Sequence, residues 1–326
     1  MVSTLPTPFT EQIAFSCTGE NSWTTVHPPQ RMGHTLPIAY GGYALAVALK
    51  AAGLSVPQGY HIYSFMGNFL GPASTDKPLH VTTRTFRQTR TFATRHIEVS
   101  QEQDNEKPRV CLFATADFQI KEKENIFEYS RTPSKSYSHH TSLPSTMQAA
   151  QNLLDCGKVE PGLYNTFVEA FSGSASIFDI HPCPEGIFAQ NLSGVARCLP
   201  HSQDSIPLAS RTTADWFRSS SPLSDTRDQL AALAFYCDGA LSFCPLAFSH
   251  ESLDKTASWS SLDFAMRIFR DVDLNHWHLR EVQTHVGGEG RTFSESWVWD
   301  EAGRAVANMS QQSIMRALPG KGKASL

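Results

Sequence analysis

The chain carries no C-x-x-C pair, and its seven cysteines, at 17, 111, 156, 183, 198, 237 and 244, are odd in number and scattered. That disfavours a disulfide framework, and a reducing intracellular compartment is the expectation. Charge is sparse: Asp, Glu, Lys and Arg make up 18% of the residues, and 31 acidic against 27 basic side chains leave a net charge of −4. This balance argues against a basic nucleic-acid platform. No apolar run approaches the roughly 20 residues that span a bilayer. The longest, Tyr43-Ala-Leu-Ala-Val-Ala-Leu-Lys50-Ala-Ala52, is interrupted by a lysine. The opening Met1-Val-Ser-Thr-Leu-Pro has neither a basic nor a continuous apolar region, so secretion is not expected.

Several catalytic signatures are missing as well. There is no G-x-S-x-G; the nearest stretch, Gly173-Ser-Ala-Ser176, lacks the second glycine, which disfavours serine-hydrolase chemistry on an α/β-hydrolase frame. Neither a P-loop nor a G-x-G-x-x-G is present, and Gly287-Gly288-Glu-Gly290 reads as a hairpin turn. His276 and His278 alternate along a strand pattern without a Cys or carboxylate at ligand spacing. They are expected on a solvated strand face, and no metal site and no cofactor is expected. His139-His140 sits in a polar stretch and reads as surface.

What remains is a 326-residue chain, 40% apolar, long enough to bury a large core as two domains or one large one. After a loop-like opening, Gly41-Gly42 leads into an Ala- and Leu-rich segment that ends near Gly53 and is apolar on every side, the pattern of a buried helix. Segments 62–70, 79–86, 92–100 and 110–119, rich in Val, Thr, Phe and Ile and divided by hairpin-length turns, read as four strands. One helix followed by hairpin-linked strands predicts an antiparallel sheet wrapped around that helix, not a doubly wound parallel sheet. The order then returns: a strand at 212–218, a helix opened by Asp225 as N-cap, and strands at 259–269, 277–285, 292–299 and 305–315. Arg90-Thr91-Phe92 and Arg291-Thr292-Phe293 start corresponding strands, which favours an internal duplication. The predicted divisions are 1–120, a long Ser-, His- and Pro-rich connection at 121–205, and 206–326. Within the connection a helix is expected at 146–155 and a β segment at 175–180.

Asp238 ends the second Ala-rich helix, where a buried carboxylate costs several kcal/mol unless it is hydrogen-bonded or wet. It reads either as a turn residue before Gly239 or as a general base at a cleft. Ser261 and Gln311 lie on strands that face such a helix. Together the three residues suit the positioning of one water for attack on an activated carbonyl.

These residues carry a resemblance that runs through nearly the whole chain. Gly41-Gly42-Tyr-Ala-Leu-Ala-Val-Ala-Leu, Phe69-Leu70-Gly71-Pro72, Phe113-Ala-Thr-Ala-Asp-Phe-Gln119, Trp216-Phe-Arg, Leu230 through Asp238, Ser261-Leu-Asp263 and Gln311-Gln-Ser-Ile-Met-Arg316 resemble the double-hotdog acyl-CoA thioesterases of type II. The resemblance implies an α+β double hotdog, two repeats of a central helix wrapped by an antiparallel sheet. It implies hydrolysis of an acyl-CoA thioester by water that Asp238 activates and Ser261 and Gln311 orient. Gly41, Gly42, Asp263 and Phe264 become candidate substrate-binding residues, and a homodimer or homotetramer in the cytoplasm or peroxisome is implied. The first half has Thr115 near the place of Gln311 and no acid in its helix. Phe264-Ala265 follows Asp263 where the family reads His-Ser, so a specialised acyl or polyketide thioester fits comparably well with a straight-chain fatty one. Arg31-Met-Gly33-His34-Thr-Leu-Pro37 faintly resembles hotdog dehydratases, so a dehydratase, cyclase or isomerase using His34 is the competing expectation; His34 reads equally as a loop histidine. The closing Lys323-Ala-Ser-Leu326 lacks the basic residue of a Ser-Lys-Leu peroxisomal signal.

Overall fold

The computed structural model describes residues 8–318, other than 35, 105 and 252–254. The terminal residues that bear on compartment lie outside that range. After a short helix α1 (Phe9–Gln12), the first half runs β1 (Phe15–Gly19), β2 (Ser22–Thr25), α2 (Gly41–Leu54), β3 (Tyr60–Phe69), β4 (His80–Gln88), β5 (Phe92–Gln103) and β6 (Glu106–Ile120). The connection contributes α3 (Thr146–Asp155), α4 (Pro161–Ile177), β7 (Phe178–Pro182) and α5 (Ile187–Asn191). The second half continues with β8 (Thr212–Ser219), α6 (Thr226–Asp238), α7 (Cys244–Phe248), β9 (Thr256–Ser261), β10 (Asp263–Ile268), β11 (His278–Gly288), β12 (Arg291–Asp300) and β13 (Ala305–Ala317).

The strands form one antiparallel sheet in the order β1-β2-β4-β5-β6-β3-β10-β13-β12-β11-β8-β7, with β9 also paired to β13. Read from either end, the order is the same once β7, β8, β10, β11, β12 and β13 are matched to β1, β2, β3, β4, β5 and β6. The duplication is therefore visible as a pseudo-two-fold between β3 and β10, which pair from Asp263↔Asn68 to Arg267↔Ser64.

Both central helices are small-residue rods buried on all sides: Ala46, Ala48, Ala51 and Ala52 of α2 and Ala231, Ala232 and Ala234 of α6 are buried. Small side chains let the two helices pack against each other inside the curved sheet. Lys50 Nζ reaches Asp228 at 2.8 Å, while at the other end the Tyr40 hydroxyl donates to the Phe235 carbonyl at 2.7 Å. The helices are thus antiparallel, and the C-terminus of α6 meets the N-terminus of α2. The Asp225 carboxylate accepts from the Arg227 amide at 2.8 Å and caps α6.

Four expectations are corrected. Residues 15–25, read as loop, form the β1–β2 hairpin, whose edge strand is largely exposed and so lacks an apolar alternation. Residues 175–177 are the last turn of α4 instead of strand, and β7 begins at Phe178. Pro161 starts that helix, and the glycines and serines within it hide it in the sequence. The strand expected at 259–269 is broken at Leu262: β9 pairs β13, while β10 crosses to join β3 and β13. His278 is buried against Phe217, and His140 is buried against Trp277, whereas His276 and His139 are exposed as expected.

The two buried histidines lie on opposite faces: His278 turns inward beside Phe217, which stacks on Tyr236, and His140 lies on the outer face. The connection straps the outer face of β8, β11 and β12. Trp299 Nε1 donates to the Arg131 carbonyl at 2.7 Å and Trp216 Nε1 to that of Ser138 at 3.0 Å. The buried Glu281 accepts from Ser134 Oγ and from the Tyr137 hydroxyl, each at 2.6 Å. A stretch whose composition reads as polar linker is thereby part of a second apolar cluster over the sheet.

Candidate active site

Asp238 stands where the antiparallel packing brings the end of α6 to the start of α2. A Cβ on Gly41 would lie 3.1 Å from the Phe69 ring and 3.3 Å from Asp238 Oδ2, tighter than ordinary contact, so glycine eases this close approach of the helix start. At Gly42 a Cβ would overlap the Tyr40 ring and press on the Phe235 carbonyl, so this glycine seats Tyr40 against α6. Gly41, the Tyr40 hydroxyl and the Gly42 amide therefore surround a carboxylate that is only 6% exposed.

From the opposite side, Gln311 Nε2 donates to Asp238 Oδ1, and Ser261 Oγ donates to Gln311 Oε1 at 3.2 Å. The three residues named from the sequence thus form one hydrogen-bonded chain, Ser261 to Gln311 to Asp238. Burial pushes the Asp238 carboxyl up to about 6, against the downward pull of the Gln311 hydrogen bond and of the nearby Tyr40 hydroxyl and Gly42 amide. Such a carboxyl is poised to exchange a proton near neutral pH. The neighbouring thiols Cys237 and Cys244 are pushed up to about 12 by burial, which makes them poor nucleophiles.

Asp238, Ser261, Gly41 and His34 line one cleft of about 480 Å³, walled also by Phe69, Leu70 and Trp259. Gln311, 1% exposed, lies behind it. The His34 imidazole is held below its usual pKa by burial and by Arg31, and its Nδ1 is buried without a hydrogen-bond partner. Gly42 packs beneath Tyr40. Phe264 is buried in the core, 4.8 Å from Phe65 and 5.8 Å from Phe69 between ring centres. Asp263 turns to β13, where it accepts from the Gln312 amide at 2.9 Å and from its side chain at 3.1 Å.

Reasoning from sequence missed the group that holds this site in place. Arg280 Nη1 donates to the carbonyls of Tyr236 at 2.9 Å and Gly239 at 3.0 Å, on either side of Asp238. Its Nη2 donates to Asp215 at 2.8 Å, and the Tyr236 hydroxyl donates to the same carboxylate at 2.6 Å. A cation on the last carbonyls of α6 also complements the helix dipole. The available signal was an opposite-charge pair, Asp215 and Arg280, on two strand segments, which face each other across β8 and β11.

A palindromic sheet wrapped around two antiparallel helices, with one acid at their junction, defines a double-hotdog protein of the thioester-cleaving class. The profile of the acyl-CoA thioesterase N-terminal domain matches residues 28–119, and that of the acyl-CoA thioesterase C-terminal domain matches residues 176–315. The chain belongs to the acyl-CoA thioesterase family and is a thioester hydrolase. It is 24% identical to acyl-CoA thioesterase 2 of Haemophilus influenzae, over 85% of this chain and 87% of that one. Among solved structures it is similar to the acyl-CoA thioesterase II TesB2 of Mycobacterium marinum (TM-score 0.67, 19% identity, 96% and 99% of the two chains). It is also similar to a hot dog fold protein of Alicyclobacillus acidocaldarius (TM-score 0.65, 19% identity, 95% and 98% of the two chains). Among the described residues no helix is long and apolar enough to cross a membrane.

Proposed function

We propose that this chain hydrolyses acyl-CoA thioesters with Asp238 as general base. The observation that carries the reading is the buried Asp238 carboxylate set against the N-terminus of α2 in an accessible cleft. Asp238 takes a proton from a water held between it and Ser261. The water oxygen bonds to the thioester carbon, and the carbonyl electron pair moves to oxygen. First-turn amides of α2 beyond those already held by Asp238 and the Tyr40 carbonyl stabilise that oxyanion. Collapse breaks the carbon–sulfur bond, and the departing thiolate recovers the proton from Asp238. Gln311, donating from behind, fixes the carboxylate and passes the orientation of Ser261 to it.

Incubation with a panel of acyl-CoAs, followed by a thiol reagent and product mass spectrometry, tests the reading. Free acid and free CoA are expected. A product lighter than substrate by one water, with its thioester intact, would transfer the chemistry to His34 and the dehydratase reading. The base must be ionised to act, so log kcat/KM is expected to fall with unit slope as pH drops below about 6 and to level off above it. A profile flat from pH 4.5 to 8 removes Asp238 as the base.

We further propose that the chain works as a homodimer. Ile126, Phe127 and Tyr129 are 91%, 80% and 88% exposed on one short arm, an apolar surface suited to cover by a second copy. A light-scattering mass equal to one 36.0 kDa chain overturns this.

A further inference from the structure

A second cavity, of about 130 Å³, abuts the cleft. Met32, Gly33, Tyr40, Ala240 and Phe243 line both, so they form the shared wall. Gly239, next to Asp238 in the chain, lines the second cavity. Its lining is largely aromatic, Phe167 and Phe171 of α4, Phe188 of α5 and Phe235 of α6, with Ile180 and Leu192; the charged members, Asp215 and Arg280, are paired with each other. Phe167 and Phe171 stack at 4.9 Å, and Phe188 and Phe243 at 5.8 Å, so the walls are stiff planes. α4 and α5 belong to the connection and occur once, which leaves the first half without an equivalent of these walls.

The two spaces differ in chemistry. Between apolar walls that include Phe69, Leu70 and Trp259, the cleft presents Ser242, Ser258, Ser260 and His34, and Arg109 sits 3.4 Å from where a Cβ on Gly71 would be, at its rim. Polar groups and a rim cation suit the amides and phosphates of the CoA arm. The aromatic cavity suits an apolar group. An apolar protein cavity of about 150 Å³ accepts benzene, so this space holds one ring or a branched group of about five carbons.

We propose that the aromatic cavity takes the acyl group, and that the enzyme selects CoA thioesters of compact acids, aromatic or branched, over long straight-chain ones. This rests on the assignment of Asp238 as the base. The thioester carbon sits at Asp238, with the CoA arm in the cleft and the acyl group passing the Tyr40–Phe243 wall. Phe171 and Ser174, on α4, then set the size limit.

The test compares kcat/KM for isovaleryl-, benzoyl-, octanoyl- and palmitoyl-CoA in the wild type, Ser174→Phe and Phe171→Ala, with circular dichroism as the folding check. The wild type is expected to prefer the two compact substrates to palmitoyl-CoA at least tenfold. Ser174→Phe fills the space and lowers the compact substrates tenfold or more. Phe171→Ala opens it and raises octanoyl-CoA relative to isovaleryl-CoA at least fivefold, and it answers the question alone if Ser174→Phe fails to fold. A wild-type rate that rises with chain length, or a profile unmoved in the folded variants, overturns the cavity assignment. Turnover that survives in Asp238→Asn overturns the site assignment instead, so the two failures are distinguishable.

Discussion

Asp238→Asn is expected to lower kcat about 1,000-fold, the scale of removing a general base from a positioned water. The same variant is expected to be more stable than the wild type above pH 6. Burial raises the Asp238 carboxyl from 3.8 to about 6 in the folded state, so the folded protein holds that proton more tightly than the unfolded chain does. For an acid shifted upward, stability falls as pH rises from the unfolded value through the folded one, and the full cost is present above pH 6. A shift of this size corresponds to about 3 kcal/mol, and asparagine, which never ionises, does not incur it. Urea unfolding at pH 8 should show the variant ahead by up to that amount, and near pH 4 the gap should close. Equal stability at pH 8, or retained thiol release, contradicts the placement of an ionised base in this pocket. An active site that destabilises its own fold in this way is common where function requires a buried charge.

The largest loss of stability is expected from Arg280→Met. The guanidinium is buried and holds Asp215, the Tyr236 carbonyl and the Gly239 carbonyl. Methionine fills similar space and makes none of these bonds. Asp215 is then left buried with only the Tyr236 hydroxyl, and breaking one side of such a pair costs about 3–5 kcal/mol. Adding Asp215→Asn to the same chain should recover a large part, because the stranded charge is gone, while the carbonyls flanking Asp238 remain unheld. The double variant is therefore expected to regain stability without regaining activity. A single variant within about 1 kcal/mol of wild type would mean that the ion pair is not what holds the end of α6.

The helix and strand identities were legible because each has a local cause. α2 and α6 are read from Ala-rich segments closed by a glycine or opened by a capping aspartate, and the eight long strands from Val, Thr and Phe runs between turns. α4 was not legible: two glycines and a serine run mask a helix that is ordered through Phe167 and Ile177 packing inward. Of the histidines expected outward, His140 and His278 were misread because burial depends on what lies over each side chain. His278 turns into the core beside Phe217, while His140 belongs to the chain from 130 to 143 that covers the outer face, distant in sequence and polar in composition.

By itself the sequence determined the duplicated helix-then-strands order, the free cysteines, and the presence of an acid in the second helix without a counterpart in the first. It also supplied Ser261 and Gln311 as polar residues on faces that should be apolar. Only the tertiary structure decided that these three join in one hydrogen-bonded chain, that Gln311 stands behind the carboxylate, and that Arg280 and Asp215 clamp the turn. It also turned Phe264 into the core and Asp263 onto β13. Periodicity and propensity act over a few residues and register in the sequence directly. Which polar atoms meet is set by the antiparallel packing of α2 on α6 and by the break at Leu262, contacts across 50 to 200 residues that no local pattern encodes.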